Sequence, residues 1–144
     1  MLAAIEEEFR DQPFVTIGVH SPKFTNERDV EMVREAVRRY AVAHPVLVDS
    51  DHAVWQQYGI RAWPTVVVVD PEGYIVAAGS GEPSRESLRE AIAKVLDTAR
   101  AQGTLSGHAL PLRRETPARG SLAYPSKVVA DADRIFIADT GHDQ

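Results

Sequence analysis

The sequence contains no cysteine among its 144 residues. Structural disulfides, thiolate nucleophiles and cysteine-based zinc or iron–sulfur sites are therefore all excluded for this chain. Long apolar runs are missing too, so the sequence predicts no transmembrane helix. The first ten residues turn acidic at once and have no basic segment at their start, unlike a secretory signal. We therefore expect a cytoplasmic protein.

An excess of basic residues is also absent. The net charge is −5, from 16 basic and 21 acidic residues that are interspersed along the chain. This pattern gives no electrostatic footprint for nucleic acid or for an anionic membrane surface. With 44% apolar and 26% charged residues, the composition is that of a globular protein, and the length suits one domain and part of another.

The stretch that organises the chain is residues 58–73, YGIRAWPTVVVVDPEG. A helix is expected to end at Gly59, after which Trp63, Pro64 and Thr65 turn the chain. Four consecutive valines follow, a pattern that predicts a strand covered on both faces. Because proline has no N–H for the ladder, Pro64 belongs at the first residue of that strand or at a bulge.

The region before this stretch predicts alternating helices and strands. The expected elements are a helix with Leu2, Ile5 and Phe9 on one stripe, a strand at 14–19, a helix capped by Thr25 or Asn26 with Val30, Val33, Val37 and Tyr40 on its stripe, and a strand at 46–48. The charged residues of the second helix are interpreted as a solvated face. Asp49, Ser50 and Asp51 offer caps for the helix that ends near Tyr58.

Beyond the valines, residues 74–78 are predicted to form the hairpin partner of that strand. A long helix follows, capped by Ser84 and stopped by Gly103. Its apolar stripe is Leu88, Ala91, Ile92, Val95, Leu96 and Ala99. The fold class expected from this order is an α/β sandwich, a mixed sheet flanked by helices.

The last third of the chain differs in character. Residues 103–120 contain Gly, Ser, Pro and Arg without periodicity and are interpreted as a linker. One hairpin is expected from residues 128–130 and 135–138, with its turn at Asp131–Asp133. We therefore divide the chain into residues 1–102, 103–120 and 121–144. A lone hairpin is marginal in water, so the last division is expected to belong to something larger.

The segment YGIRAWPT at residues 58–65, with the strand and DPEG turn after it, resembles the thioredoxin-like superfamily. Residues 17–24 (IGVHSPKF), 26–28, and the tail from Tyr124-Pro125 to 138–142 extend this resemblance over nearly the whole chain. They make it similar to the thioredoxin-like NHL-repeat proteins, in which a redoxin-type domain precedes an NHL β-propeller. The resemblance implies a thioredoxin-like fold followed by the first hairpin of that propeller.

The same resemblance implies a thiol–disulfide oxidoreductase of cell redox homeostasis, with Trp63 and a cis Pro64 lining the substrate site opposite a CxxC motif. In the family that motif and its strand precede the helix matching residues 2–10. The chain is therefore expected to lack the CxxC-bearing strand, to be truncated at both ends, and to be redox-inactive as given. Since the missing strand would lie between the strands at 14–19 and 65–70, we expect marginal stability or self-association.

Several alternatives stay open. Pro64 can be a structural turn and Trp63 a core residue. Asp139-Thr140-Gly141 matches an aspartic-protease triplet, although a propeller turn fits better. The histidines lack metal-ligand spacing. Asp49, Asp51 and His52 could suggest a ligand group, but helix capping explains the two acids better, so no metal or cofactor is expected. The function alternatives are a non-catalytic binding or scaffold module that takes a protein or peptide partner at Trp63–Pro64, and an unrelated small ligand-binding domain.

Overall fold

The computed structural model describes residues 1–108, 110–115, 122 and 124–139. Contacts divide the chain into two units, residues 1–16 with 53–111 and residues 17–52 with 112–144. In chain order the regular elements are α1 (Leu2–Glu8), β1 (Gly18–His20), a short 3-10 helix (Thr25–Arg28), α2 (Val30–Arg39), β2 (Val46–Val48), α3 (Ala53–Gln57), β3 (Thr65–Val69), β4 (Ile75–Ser80), α4 (Arg85–Gln102), β5 (Pro125–Ala130) and β6 (Ile135–Asp139).

The core of the first unit lies between α1 and α4. Its buried members all come from the two predicted helical stripes: Ile5, Phe9, Leu88, Ile92 and Leu96. Ile5 is 0% exposed. Apolar side chains at helical spacing therefore form a shared buried face, as the sequence predicts.

The ends of α4 follow from its capping residues. The Ser84 hydroxyl accepts a hydrogen bond from the Ser87 N–H at 3.1 Å, which satisfies a donor of the first turn. At the other end Gly103 has φ +68, the left-handed conformation that glycine adopts without a Cβ clash. Both caps were predicted.

The valine strand β3 pairs antiparallel with β4, from Thr65 opposite Ser80 to Val69 opposite Ile75. Val66 and Val68 pack against the α1–α4 core. None of the four valines is fully buried, and Val69 is 40% exposed. Alternate residues of β3 point to opposite faces, and Val66 and Val68 face this core while Val67 is also half-buried, so both faces are covered only in part.

In the second unit, β1 and β2 form a parallel pair with Gly18 opposite Val46 and His20 opposite Val48. The strand predicted at 14–19 begins only at Gly18, so its first four residues were assigned wrongly. Its partner β2 has three residues, which limits the ladder to the same length. Phe14 packs instead against the α1–α4 core of the first unit.

The N-cap of α2 is Asp29, and the expected caps Thr25 and Asn26 are wrong. The Asp29 carboxylate accepts hydrogen bonds from the N–H groups of Glu31 at 2.8 Å and Met32 at 3.3 Å. Residues 25 and 26 lie in the preceding 3-10 helix, where the Glu27 carboxylate binds backbone N–H groups upstream. Because the 3-10 helix occupies Thr25–Arg28, α2 begins after it and takes Asp29 as its N-cap.

Only the middle of the expected α2 stripe is buried. Val33 and Val37 are each 8% exposed, whereas Val30 is 47% and Tyr40 75% exposed. Val30 is the first residue of the helix and Tyr40 follows its last, so neither has a neighbouring turn on both sides to cover it.

The C-terminal hairpin forms as predicted and is longer than expected, with β5 and β6 pairing antiparallel between Pro125 and Asp139. The Asp131 carboxylate holds the turn by accepting the N–H groups of Asp133 at 3.0 Å and Arg134 at 2.8 Å. Such local bonds are typical of Asx turns. That this hairpin opens a propeller, and that 103–120 is a linker, stay predictions.

The described strands make three two-stranded sheets, β1–β2, β3–β4 and β5–β6, and so not one continuous mixed sheet. Both parallel and antiparallel pairs are present, as expected for a mixed fold. Among the described strands, β1 has β2 as its one hydrogen-bonded neighbour, and β3 has β4. No helix in those ranges is long and apolar enough to cross a membrane.

Leu96→Ala should lower the free energy of unfolding by about 2–5 kcal/mol, because Leu96 is 6% exposed within the α1–α4 core and truncation leaves a cavity. The matched control is Leu110→Ala in the same unit, where the side chain is 60% exposed and the expected change is within about 0.5 kcal/mol. Urea unfolding followed by circular dichroism measures both. Equal losses in the two variants would contradict the core assignment.

Glu27 should make stability fall on acidification. Hydrogen bonds from the N–H groups of Phe24 and Lys23 lower the pKa of the Glu27 carboxyl from its ordinary value of 4.5. Its contribution is therefore complete above the unfolded-state pKa and is lost as the pH falls through the folded-state pKa. Glu27→Gln should be less stable at neutral pH and should approach the parent chain in acid. An NMR titration of Glu27 with a midpoint at or above 4.5 would refute this assignment.

The second edge of β3 should make the isolated chain self-associate. An apolar edge strand with unpaired ladder groups is a template for pairing with another copy. Val67→Lys places a charge on the β3 face opposite Val66 and Val68 and should shift the chain toward monomer in sedimentation equilibrium. Tyr74→Lys, at a turn position that is 68% exposed, should leave association unchanged. A monomeric parent chain with a cooperative mesophilic melt would count against the prediction.

Candidate functional site

The loop that carries the predicted site residues begins where α3 ends. Gly59 has φ +64 and donates its N–H to the Gln56 carbonyl at 3.1 Å, and Ile60 donates to the Trp55 carbonyl at 2.9 Å. These bonds close the last turn of α3 on a left-handed glycine, a common helix ending. They fix the direction in which the chain leaves the helix toward residues 61–64.

The other end of the loop is held by the β3–β4 hairpin. The Trp63–Pro64 peptide bond is cis. The Pro64 carbonyl accepts a hydrogen bond from the Gly81 N–H at 2.8 Å, and the Thr65 hydroxyl donates to the Ala62 carbonyl at 2.7 Å. Pro64 thus stands immediately before the first residue of β3, where a residue without an N–H costs no ladder bond.

Trp63 lies on the surface of its unit. Its side chain is 49% exposed, and its ring centroid is 4.2 Å from that of Trp55 with the planes tilted by 35°. Aromatic pairs at this separation contribute roughly 0.5–1.5 kcal/mol beyond the area they bury. Trp55 therefore supports one side of the indole and leaves the rest accessible, so Trp63 is not a core residue.

The side chains of this loop are better suited to contact a ligand than to react with one. Residues 58–65 contain no carboxylate, imidazole, thiol or amine, and their one cation is the guanidinium of Arg61. A half-exposed indole beside main-chain groups can cover an apolar or extended ligand segment. The loop holds no side chain suited to be a nucleophile or a general base at neutral pH.

Sequence reasoning missed a pair of buried polar residues that lie at the carboxyl ends of β1 and β2. Ser21 and Asp49 are 8% and 5% exposed, and the Ser21 hydroxyl donates to the Asp49 carboxylate at 3.0 Å. The signal was available, since each residue directly follows a short strand and parallel strands end at one edge. This bond joins the ends of β1 and β2, whereas Asp49 was expected only as a helix cap.

Two histidines of the second unit, His20 and His44, lie beside main-chain groups of that unit. His20 Nε2 lies 3.0 Å from the Glu27 carbonyl oxygen. Gly18 faces the His44 ring, and a Cβ built on Gly18 would stand 3.2 Å from that ring. Throughout the part of the chain that the structure describes, no three His, Asp or Glu side chains are grouped to hold a metal ion.

The protease-like triplet is described only in part. Asp139 ends β6 and is 3% exposed. Thr140 and Gly141 lie outside the described residues, as does His142. A buried carboxyl at the end of a hairpin strand is compatible with a turn.

Known proteins similar to this chain share most of its length. Protein SUPPRESSOR OF QUENCHING 1, chloroplastic, of Arabidopsis thaliana is 38% identical in an alignment of length 148 that covers 98% of this chain and 14% of that protein. NHL repeat-containing protein 2 of Homo sapiens is 32% identical in an alignment of length 146 that covers 98% of this chain and 20% of that protein. The chain thus spans a fifth or less of these relatives, and the resemblance to thioredoxin-like NHL-repeat proteins is confirmed.

The fold is also shared with a solved structure. A candidate thioredoxin from Neisseria meningitidis superposes with a TM-score of 0.61 at 26% identity, covering 75% of this chain and 69% of that one. The thioredoxin-like fold is therefore confirmed. The family model described as Redoxin matches residues 1–96, which include α1, the Trp63–Pro64 loop and most of α4. The chain belongs to the Redoxin family.

Proposed function

We propose that this chain provides the substrate-binding wall of a thioredoxin-like thiol–disulfide oxidoreductase and does not provide the reacting thiol. The observation that carries the proposal is Trp63, half exposed against Trp55 and placed directly before Pro64 at the start of β3. Membership of the Redoxin family and the likeness to a candidate thioredoxin support it.

The chemistry limits what these 144 residues can do. In thiol–disulfide exchange a thiolate attacks one sulfur of a disulfide, a new S–S bond forms, and the second sulfur leaves as a thiolate. The chain has no cysteine, so both the attacking thiolate and the disulfide must come from outside it. We expect the chain alone to bind such a substrate and to be inactive in exchange.

The substrate that suits the loop is an extended peptide with a disulfide. Sulfur atoms make favourable contacts with aromatic rings, and an indole covers a large area with little loss of side-chain freedom. The stacking on Trp55 and the bond from Gly81 to Pro64 hold the surface in place before binding. A surface held in this way spends less free energy on ordering when a ligand binds.

The lack of any cysteine favours one alternative, a non-catalytic binding or scaffold module that uses the same loop. The two functions differ in what they recognise. A substrate wall of an oxidoreductase should prefer the disulfide form of a peptide, whereas a scaffold surface should bind both forms equally.

We also propose that β5–β6 is the first hairpin of an NHL β-propeller. The alignment with NHL repeat-containing protein 2 covers 98% of the chain and so reaches the hairpin. Its side chains support this, since residues 125–138 of the two strands are all exposed although Val128, Val129, Ile135 and Phe136 are apolar. An apolar hairpin of this kind gains stability when further strands cover it.

Trp63→Ala should weaken binding of a synthetic two-cysteine peptide in its disulfide form by roughly tenfold or more, the loss expected when an exposed aromatic anchor is removed. Fluorescence anisotropy of a labelled peptide measures the dissociation constants. The alkylated peptide of the same sequence should bind the parent chain more weakly, because it offers no disulfide to the indole.

Tyr74→Ala is the matched control, since Tyr74 is an aromatic residue that is 68% exposed in the β3–β4 turn. It should bind as the parent chain does. Equal affinity for the disulfide and alkylated peptides, with loss in Trp63→Ala, would favour the scaffold alternative. No effect of Trp63→Ala on either peptide would reject both functions at this loop.

A further inference from the structure

We propose that α2 carries an ionic clasp, in which Arg34, Arg38 and Arg39 reversibly bind Glu115 and Tyr124, two residues that precede the C-terminal hairpin. All five residues belong to the second unit. The clasp is a conformational device, because its closed form ties β5 to α2 and its open form leaves that strand to other partners.

One half of the clasp is Glu115. Arg34 Nε donates to one oxygen of the Glu115 carboxylate at 2.8 Å, and an Arg38 NH2 donates to the other oxygen at 3.0 Å. The two arginines lie one helical turn apart and 81 and 77 residues from Glu115 in sequence. A carboxylate gripped through both oxygens has a fixed orientation as well as a fixed position.

The other half is Tyr124. The Arg39 guanidinium carbon stands 4.8 Å from the centre of the Tyr124 ring, within the range of a cation–π contact. Tyr124 directly precedes β5, so this contact holds the start of the hairpin next to α2. The charged face of α2, expected from the sequence to be merely solvated, therefore binds a distant segment at two points.

The exposure of the clasp makes it reversible. The side chains of Arg34, Arg38 and Glu115 are 34%, 37% and 32% exposed. Each ion pair at that exposure favours the closed form by roughly two- to fivefold, and salt screens it. The hydrogen bond from Arg34 lowers the pKa of the Glu115 carboxyl, so this group is ionised near neutral pH. The clasp should thus open with rising ionic strength.

The test uses the whole chain and Glu115→Gln, which removes the charge and keeps the shape. NMR of the Tyr124 ring and of the Arg34 Nε–H reports both halves of the clasp. At low salt the variant should lose the Arg34 Nε–H signal and shift the Tyr124 ring resonances. Tryptic cleavage at Arg113 and Arg114, exposed residues directly before Glu115, should become about four- to twenty-five-fold faster, the combined effect of two such pairs.

Glu31→Gln is the matched control, because Glu31 pairs with Arg34 within α2 itself. Its Tyr124 resonances should stay at the parent positions and its cleavage rate should stay within about twofold of the parent rate, because the bonds to Glu115 are kept. In the parent chain, high salt should reproduce the Glu115→Gln spectrum and should change Glu115→Gln little.

Unchanged Tyr124 resonances in a folded Glu115→Gln chain would overturn the proposal, since the two halves would then be independent local contacts. So would a parent spectrum that is insensitive to salt. If Glu115→Gln does not fold, Arg38→Gln removes one of the two bonds and should show the same changes at about half the size on a logarithmic scale. Tyr124 resonances equal to those of the parent in Arg38→Gln would also overturn the proposal.

Discussion

The packing of α1 against α4 is the constraint on which the candidate site depends. These helices bury Ile5, Phe9, Leu88, Ile92 and Leu96 together, and Val66 and Val68 of β3 pack against them. Apolar burial is the main favourable contribution to folding and does not by itself have a direction. The direction comes from β3, because a strand that presents alternate residues to a core can seat them in one register only. With β3 fixed, the residues just before it are fixed too.

Pro64 and Trp63 inherit their positions from that register. Gly81 follows β4 and binds the Pro64 carbonyl, so the hairpin holds the loop from one side. Trp55 of α3 holds it from the other by contact with the indole. Trp63 is therefore exposed and yet supported, a combination typical of anchors for partners. The core fixes where Trp63 lies through β3, and the contact with Trp55 supports the indole at the surface.

The sequence was most informative where one local rule decided the outcome. Ser84, Gly103 and Gly59 have side chains or φ values that permit few alternatives, and the structure places them as predicted. It was least informative where two distant segments compete. The strand start at Gly18 is limited by the three residues of β2, and the cap of α2 moved to Asp29 because Glu27 closes an earlier turn. Pairing length and capping order are not local properties.

Contacts between distant segments also explain why the sequence pattern did not predict the bonds of Glu115 to α2 or the bond between Ser21 and Asp49. Arg34 and Arg38 looked like ordinary solvated charges because Glu115 lies 81 and 77 residues away. Ser21 and Asp49 were closer to prediction, since parallel strands bring their ends to one edge.

For Trp63 the limit has a chemical side as well. A binding surface can be recognised from the residues that form it, whereas a redox reaction needs a thiolate that this sequence does not contain. The residues of this chain can therefore account for a binding surface at Trp63, whereas they contain no thiol for disulfide exchange.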